Sequence, residues 1–302
     1  MKYLVFGSLN IDRTYTVPHF VEAGETMSAA KMELFCGGKG FNQAVALARA
    51  GKEVYFAGAV GNDGGMLLDA LAADGIHDQY IKRTNGASGH AVIQVDPKGQ
   101  NCIIILPGAN GEITEADVDA VLADFDKGDL IVLQNEISSV AYILRKAKEK
   151  GMIVALNPSP YDARIAEYDM ACVDYLLVNE VEGAAVTGCT EPQAIAARLK
   201  ALYPSMNLVL TLGSRGAIYC GADGSYHTTG IYRTNAVDTT AAGDTFTGFF
   251  LACITEDGDG EKALKTGSVA SGISVSRKGA SPSIPTAAEV AAVGLGVLNN
   301  ME

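Results

Sequence analysis

The chain has 302 residues, 48% of them hydrophobic and 19% charged, with a formal net charge of −12 at pH 7. That length allows one large domain or two small ones, and that apolar share can fill a substantial core. The negative balance argues against non-specific binding to nucleic acid or to an acidic membrane surface, although one lysine or one helix terminus can still hold an anionic ligand. No apolar stretch reaches membrane-spanning length, and Met1 to Gly7 is strand-like without a signal-peptide layout, so a cytoplasmic location is expected. Cys36, Cys102, Cys172, Cys189, Cys220 and Cys253 form no CxxC pair and read as buried free thiols.

Tyr3 to Gly7 reads as a buried strand that Asn10 and Asp12 bring to an end. Thr14 to Val17 and Ala30 to Phe35 alternate as half-exposed strands do. Gly37-Gly38-Lys39-Gly40 breaks the chain before a small-residue helix over Asn42 to Ala50. A buried strand over Val54 to Val60 and a helix over Met66 to Ala73 follow. Ser88 to Val95 and Asn101 to Leu106 flank the turn Asp96-Pro97-Lys98-Gly99 and predict a hairpin, with Lys98 to Asn101 its solvated tip.

From Asp117 onward helices and strands alternate: helix 117–123, strand 130–133, helix 140–150 and strand 153–156. Strand 175–178, helices 180–187 and 193–202 and strand 208–212 continue the pattern. The last helices are expected over 246–254, 261–276 and 287–298. This order predicts an α/β fold, a mostly parallel central sheet with helices on both faces and right-handed crossovers. The four antiparallel-looking strands of the first third, about 12–36 and 88–107, read as a small β-sheet lid on a single domain spanning 1–302.

Several chemistries lack their signatures. No GxGxxG follows the first strand, and Gly40 after Lys39 spoils a Walker A loop. His19, His77, His90 and His227 lie far apart with no zinc spacing, and GxSxG is absent.

The strongest chemical signal is Ala236 to Phe246, where small residues run into Gly243-Asp244 and then an apolar helix. Ala242 and Gly243 would leave the first amides of that helix bare, an anion site. Asp244 either caps the helix or acts as a general base on a neutral hydroxyl beside a phosphate. Asn10, Asp12, Asn42 and Glu136, with Asp244, fall at strand ends, where ligands of parallel sheets collect, and suit a many-hydroxyl ligand. Each alone is also an ordinary turn or cap residue. Asn179 and Glu182 follow a strand; they can cap a helix, or Glu182 can hold hydrated Mg²⁺ while Asn179 orients phosphates. The glycines of Thr211-Leu212-Gly213-Ser214-Arg215-Gly216 permit close approach of a nucleotide.

Taken together these pieces resemble the ribokinase-like sugar kinases of the phosphofructokinase-B type, over essentially the whole chain. The resemblance rests on Gly7 to Asp12, Gly37 to Ala44, Asn179-x-x-Glu182, Thr211 to Gly216, Asp238 to Phe246 and Arg277 to Ser283, in that order. It implies ATP-dependent phosphorylation of a sugar's primary hydroxyl, most closely the conversion of D-ribose to ribose 5-phosphate. Asp244 matches the family base, Ala242 and Gly243 the anion hole, and Lys39 a group that approaches the transferred phosphoryl. Asn10, Asp12, Gly38, Lys39, Asn42 and Glu136 match sugar-binding positions. Asn179, Thr211, Gly213, Ser214 and Gly216 match nucleotide positions, with Glu182 acting on Mg²⁺ through water. Asp238, Thr240, Ser274, Arg277, Gly279 and Ser283 match an activating potassium site. The small sheet is implied to close over the sugar and to pair in a homodimer.

Phe41 departs from the small residue usual at its position and would narrow the sugar pocket, help form a slot for a base, or pack sideways. The loop Phe20 to Ala23 lacks the usual prolines, Gly61 to Gly65 is shortened, and Leu106-Pro107 stiffens the hairpin end. The alternatives are therefore a kinase of another furanose or ketose, or of a nucleoside, and, more remotely, a non-catalytic sugar or nucleotide sensor.

Overall fold

Period-two and helical patterns alternate along the chain, and the elements follow them. The structure is a computed structural model and describes residues 1–298. The first third contains β1 (Tyr3–Phe6), β2 (Asn10–Thr16), β3 (Lys31–Gly37), α1 (Lys39–Arg49), β4 (Val54–Val60), α2 (Gly65–Ala73), β5 (His77–Arg83), β6 (Gly89–Val95) and β7 (Asn101–Leu106). Then come α3 (Glu115–Leu122), β8 (Leu130–Gln134), α4 (Val140–Glu149), β9 (Ile153–Asn157), β10 (Tyr175–Asn179), α5 (Glu180–Thr187), α6 (Pro192–Leu202) and β11 (Asn207–Thr211). The chain continues with β12 (Ala217–Cys220), β13 (Tyr226–Thr229), α7 (Ala242–Asp257), α8 (Gly260–Val275) and α9 (Ala287–Val293).

Among the described residues one nine-stranded sheet has the order β13-β12-β11-β10-β9-β8-β1-β4-β5. From β11 to β5 every neighbour pairs in parallel, and β12 and β13 return antiparallel. Strands buried on both faces have to be apolar throughout, as Leu130–Gln134 nearly is. Val5, Val132, Ala155, Leu177 and Val209 pack with α1, α7 and α8, whereas Leu4, Phe6, Ile131, Leu133 and Leu156 pack with α3, α4 and α6. Each of these valine, leucine, isoleucine and phenylalanine side chains contributes about 1.5–3 kcal/mol of burial. No helix of the described residues is long and apolar enough to cross a membrane.

The small sheet has the order β3-β2-β6-β7. Its outer pairs are antiparallel, but β2 and β6 run parallel, from Asn10 opposite Gly89 to Thr16 opposite Val95. The expectation of four antiparallel strands fails there for a topological reason. β2 leaves the large sheet after β1 and β6 leaves it after β5, from the same carboxyl edge, so both run outward.

β2 also starts at Asn10 rather than Thr14, so Asn10 and Asp12 belong to the small sheet instead of ending β1. The helix expected to 298 stops at Val293, because Gly294 turns out of helical geometry with φ 77 and ψ 161. All six thiols are free; Cys172 and Cys220 are buried, but Cys36, Cys189 and Cys253 are only half-buried and Cys102 is exposed on β7.

Candidate active site

The carboxyl edge of the large sheet meets the start of α7, and the polar side chains gather there. Ala241 enters α7 with φ 59, one of two non-glycine residues with positive φ among those described. Such a conformation costs about 1–2 kcal/mol and has to be held by its surroundings. It delivers Asp244 into the first turn as a buried residue that caps nothing, since the N-cap is Ala241 and its side chain makes no capping bond. The capping alternative is thereby corrected. Asp244 Oδ2 instead accepts a hydrogen bond from Asn42 Nδ2 at 3.0 Å, and Oδ1 accepts one from Gln43 Nε2 at 2.9 Å.

The Ala242 amide, expected to be bare, donates to the Thr239 carbonyl at 3.3 Å, the kind of turn bond that tightens a helix entry. Gly243 is the exposed residue at the second helical position, and its amide has no acceptor among the described residues. Two adjoining clefts of about 250 and 310 Å³ meet at Thr211, Thr239, Ala242 and Gly243. The first is lined by Lys39, Asn179, Glu182 and Asp244, the second by Gly213, Ser214, Gly216, Tyr232, Phe246 and Val275.

On the other side of Asp244, Gly38 opens α1 with φ 97, and a side chain there would press on the Ser8 carbonyl. The Lys39 amide donates to Glu136 Oε2 at 2.9 Å, and Ser8 Oγ donates to the same oxygen. Asn10 and Asp12, two apart on β2, share one face, and a side chain on Gly37 would collide with the Asp12 carboxylate. Burial, and then the Glu136 charge, pushes Asp12 up to about 7. Burial also lifts Glu136 above the usual carboxylate range, against hydrogen bonding from Ser8 and Lys39. Burial pulls the Lys39 ammonium down, but Asp244, Glu136 and Glu182 outweigh it and hold the lysine above its ordinary value.

Asn179 and Glu182 form a reciprocal cap at the start of α5: Asn179 Oδ1 accepts from the Glu182 amide at 2.9 Å, and Glu182 Oε2 accepts from the Asn179 amide at 3.0 Å. Among the described residues Glu182 Oε1 has no protein partner while the residue lines the cleft, a fit for a water-held divalent cation. Gly216, expected to approach a nucleotide, is required by the protein itself, since a side chain there would strike the Thr229 carbonyl.

Below α7, Asp238 Oδ1 accepts from the Thr240 amide (2.9 Å) and hydroxyl (2.6 Å), and Oδ2 accepts from the Gly279 amide at 3.0 Å. The buried Ser274 and Ser283 hydroxyls bond to each other at 2.7 Å, and the Arg277 amide donates to the Ser274 carbonyl at 3.0 Å. The six expected cation-site residues therefore lie together. Their single carboxylate, hydroxyls and carbonyls are an all-oxygen set that fits a hard cation of low charge.

Residues 1–287 match the pfkB family carbohydrate kinases. The chain belongs to that family. A ribokinase of Haemophilus influenzae is 33% identical over 294 residues, 94% of this chain and 95% of its own. A deoxyribokinase of Salmonella typhi is 34% identical over 300 residues, 95% of this chain and 96% of its own. The solved structure of Arabidopsis thaliana ribokinase complexed with ribose and ATP matches with a TM-score of 0.87 at 30% identity, covering 97% of this chain and 98% of that one.

In this pfkB kinase the structure adds residues that the sequence reading left out. Asn110, between β7 and α3, donates through Nδ2 to Asn10 Oδ1 at 2.8 Å and accepts from the Leu9 amide at 3.1 Å. With its oxygen engaged, Asn10 keeps its amide hydrogens for a ligand. Gln43, Gln134 and Asn157 join the Asp244 carboxylate through side-chain amides. Only the strand-end position of Gln134 and Asn157 hinted at them. Phe41, by contrast, is fully buried in the core against β1 and α7 and lines neither cleft, so it forms no slot for a base.

Proposed function

We propose that this carbohydrate kinase transfers the γ-phosphoryl group of ATP to the primary hydroxyl of D-ribose, giving ribose 5-phosphate. The observation that carries the reading is Asp244 itself: a buried carboxylate in the first turn of α7, beside Lys39 and the Gly243 amide, held by amides rather than by a cation. Asp12, Glu136, Asn10 and Asn42 supply acceptors and donors for the sugar hydroxyls. Asp244 takes the hydroxyl proton as the oxygen attacks, and Lys39 with the open amides of α7 offsets the charge growing on the phosphoryl oxygens.

The polyphosphate lies in the first cleft, near Asn179 and Glu182, and the purine in the second, against Tyr232 and Val275. Glu182 would hold Mg²⁺ through water, and Asp238, Thr240, Ser274, Arg277, Gly279 and Ser283 would hold K⁺. When bound, these ions neutralise phosphate charge and shape the loop beneath the anion hole. The small sheet closes over the sugar, with β7 pairing two copies, and the cytoplasm, where ATP is supplied, is the site of action. Ribose is favoured over a nucleoside because Phe41, packed in the core, presents no ring on which a base could stack.

The test is ADP release with ribose, 2-deoxyribose, fructose and nucleosides, each with and without potassium. Best turnover on another acceptor replaces ribose and leaves the chemistry standing. Asp244→Asn is expected to lower kcat by about 10²–10⁴-fold while sparing ATP binding; unchanged turnover removes Asp244 from its role.

A further inference from the structure

Gln43 is fully buried, follows Asn42 on α1 and lines neither cleft, yet its amide hydrogen bonds fix one another. Asn157 Nδ2 donates to the Leu177 carbonyl at 2.9 Å, which turns Asn157 Oδ1 toward Gln43. Gln134 Nε2 donates to Gln43 Oε1 at 2.7 Å. The amide orientation that satisfies both places Gln43 Nε2 between Asn157 Oδ1 at 3.2 Å and Asp244 Oδ1 at 2.9 Å. Rotated by half a turn, the buried amide would set a carbonyl oxygen against a carboxylate, an arrangement that buried polar groups avoid.

We infer that Gln43 is a positioning residue for phosphoryl transfer, holding Oδ1 of Asp244 so that the carboxylate plane is fixed and Oδ2 receives the alcohol proton. This rests on the reading of Asp244 as the base. The two carboxylate oxygens are not equivalent. Oδ2 is bonded at 3.0 Å by Asn42, whose own Oδ1 is buried with no partner among the described residues, so Asn42 can still accept a sugar hydroxyl beside Oδ2. Gln43 has no group to spare: both amide hydrogens and the oxygen are committed. In the step the hydroxyl proton passes to Oδ2 as the hydroxyl oxygen bonds to the γ-phosphorus. The bond from that phosphorus to the β–γ bridging oxygen breaks, and its electron pair leaves with ADP. A carboxylate free to turn about its Cβ–Cγ bond would spend time in planes where no lone pair meets the hydroxyl, and small misplacements of reacting groups cost about 10²-fold.

The test uses the full chain with ribose and Mg·ATP in Gln43→Met, which keeps length and bulk but no hydrogen bonds. Expected is a fall in kcat of about 10–100-fold, with the KM for ATP and the ribose dissociation constant within about threefold of wild type. On an Asp244→Asn background the same change is expected to cost under about threefold, because no base remains to be oriented. Gln134→Met touches Gln43 alone among these groups; a loss of several-fold in kcat is expected, and it decides the matter if Gln43→Met does not fold. Unchanged kcat in the variants that fold, a loss borne by KM alone, or an equal loss on the Asp244→Asn background each overturns the inference. Normal turnover by Asp244→Asn overturns the base assignment instead.

Discussion

At the scale of single residues, the proposed sugar side of the site places two carboxyl groups, Asp12 and Glu136, where neither ionises at its ordinary pH. Asp12 is pushed up to about 7, first by burial and then by the Glu136 charge, and Glu136 moves in the same direction. Above that pH Asp12 is a pure acceptor, able to take two sugar hydroxyls; below it one oxygen carries a proton and an acceptor is lost. The sign is therefore set: sugar affinity falls as pH falls. If binding requires ionised Asp12, the apparent ribose KM rises about tenfold between pH 8 and pH 6, while the KM for ATP stays level. Lys39 is held above its ordinary value by three carboxylates and stays charged throughout this window. Asp12→Asn should bind ribose less well at pH 8 and lose the pH dependence. A wild-type ribose KM that stays flat from pH 8 to pH 6 would refute the assignment of Asp12 to the sugar.

At the scale of elements, α1 brings Asn42 and Gln43 to Asp244 on α7 only because the two helices touch closely. Gly248 lies against Ala46 at the crossing, and a side chain there would collide with both the Ala46 methyl group and the backbone of α1. Gly248→Val is predicted to force the helices apart at a cost of about 1–3 kcal/mol, seen as a lower melting temperature. Turnover should fall with it in the fraction that remains folded, since Asn42 and Gln43 retreat from Asp244; a variant with native kcat would show that the close crossing is dispensable. Helices and central strands of this kind were legible because their signal is local: β4 at Val54–Val60 and α5 at Glu180–Thr187 have the limits their patterns predict. The strands that escaped notice, β5, β12 and β13, lie at the two margins of the large sheet. β5 is polar and largely exposed, as sheet edges are, and so lacks the apolar alternation of a strand. β12 and β13 are four residues each, too short to establish a period. Asp244, Lys39 and Glu136 stood out through their glycine-rich or strand-end setting. The amide chain did not, because Gln43 meets Gln134 from 91 residues away and Asp244 from 201, and no local pattern records such a meeting.

At the scale of the whole molecule, β7 is the feature that a lone copy of the chain leaves unexplained. Its residues are exposed on both faces, with Ile103 at 48%, Ile104 at 65%, Ile105 at 55% and Leu106 at 50%. An apolar edge strand in water invites pairing, and isolated copies normally blunt such edges with charge or proline. The register gives the strand a link to the site: Ile105 pairs with Ala91 and Ala91 with Asp12, so these three form one row on one face of the small sheet. A second copy covering Ile103 and Ile105 would therefore buttress the sheet that carries Asn10 and Asp12. Ile104→Lys and Ile105→Lys are predicted to convert a dimer into a monomer by sedimentation velocity. The Ile105 variant should also raise the ribose KM more than the KM for ATP, because the two clefts proposed for the nucleotide are lined by residues of the large sheet and its helices and loops, not of the small sheet. A wild-type chain that sediments as a monomer at micromolar concentration would break this account and leave β7 to some other covering. A dimer that survives both substitutions would place the contact elsewhere and uncouple assembly from the sugar site.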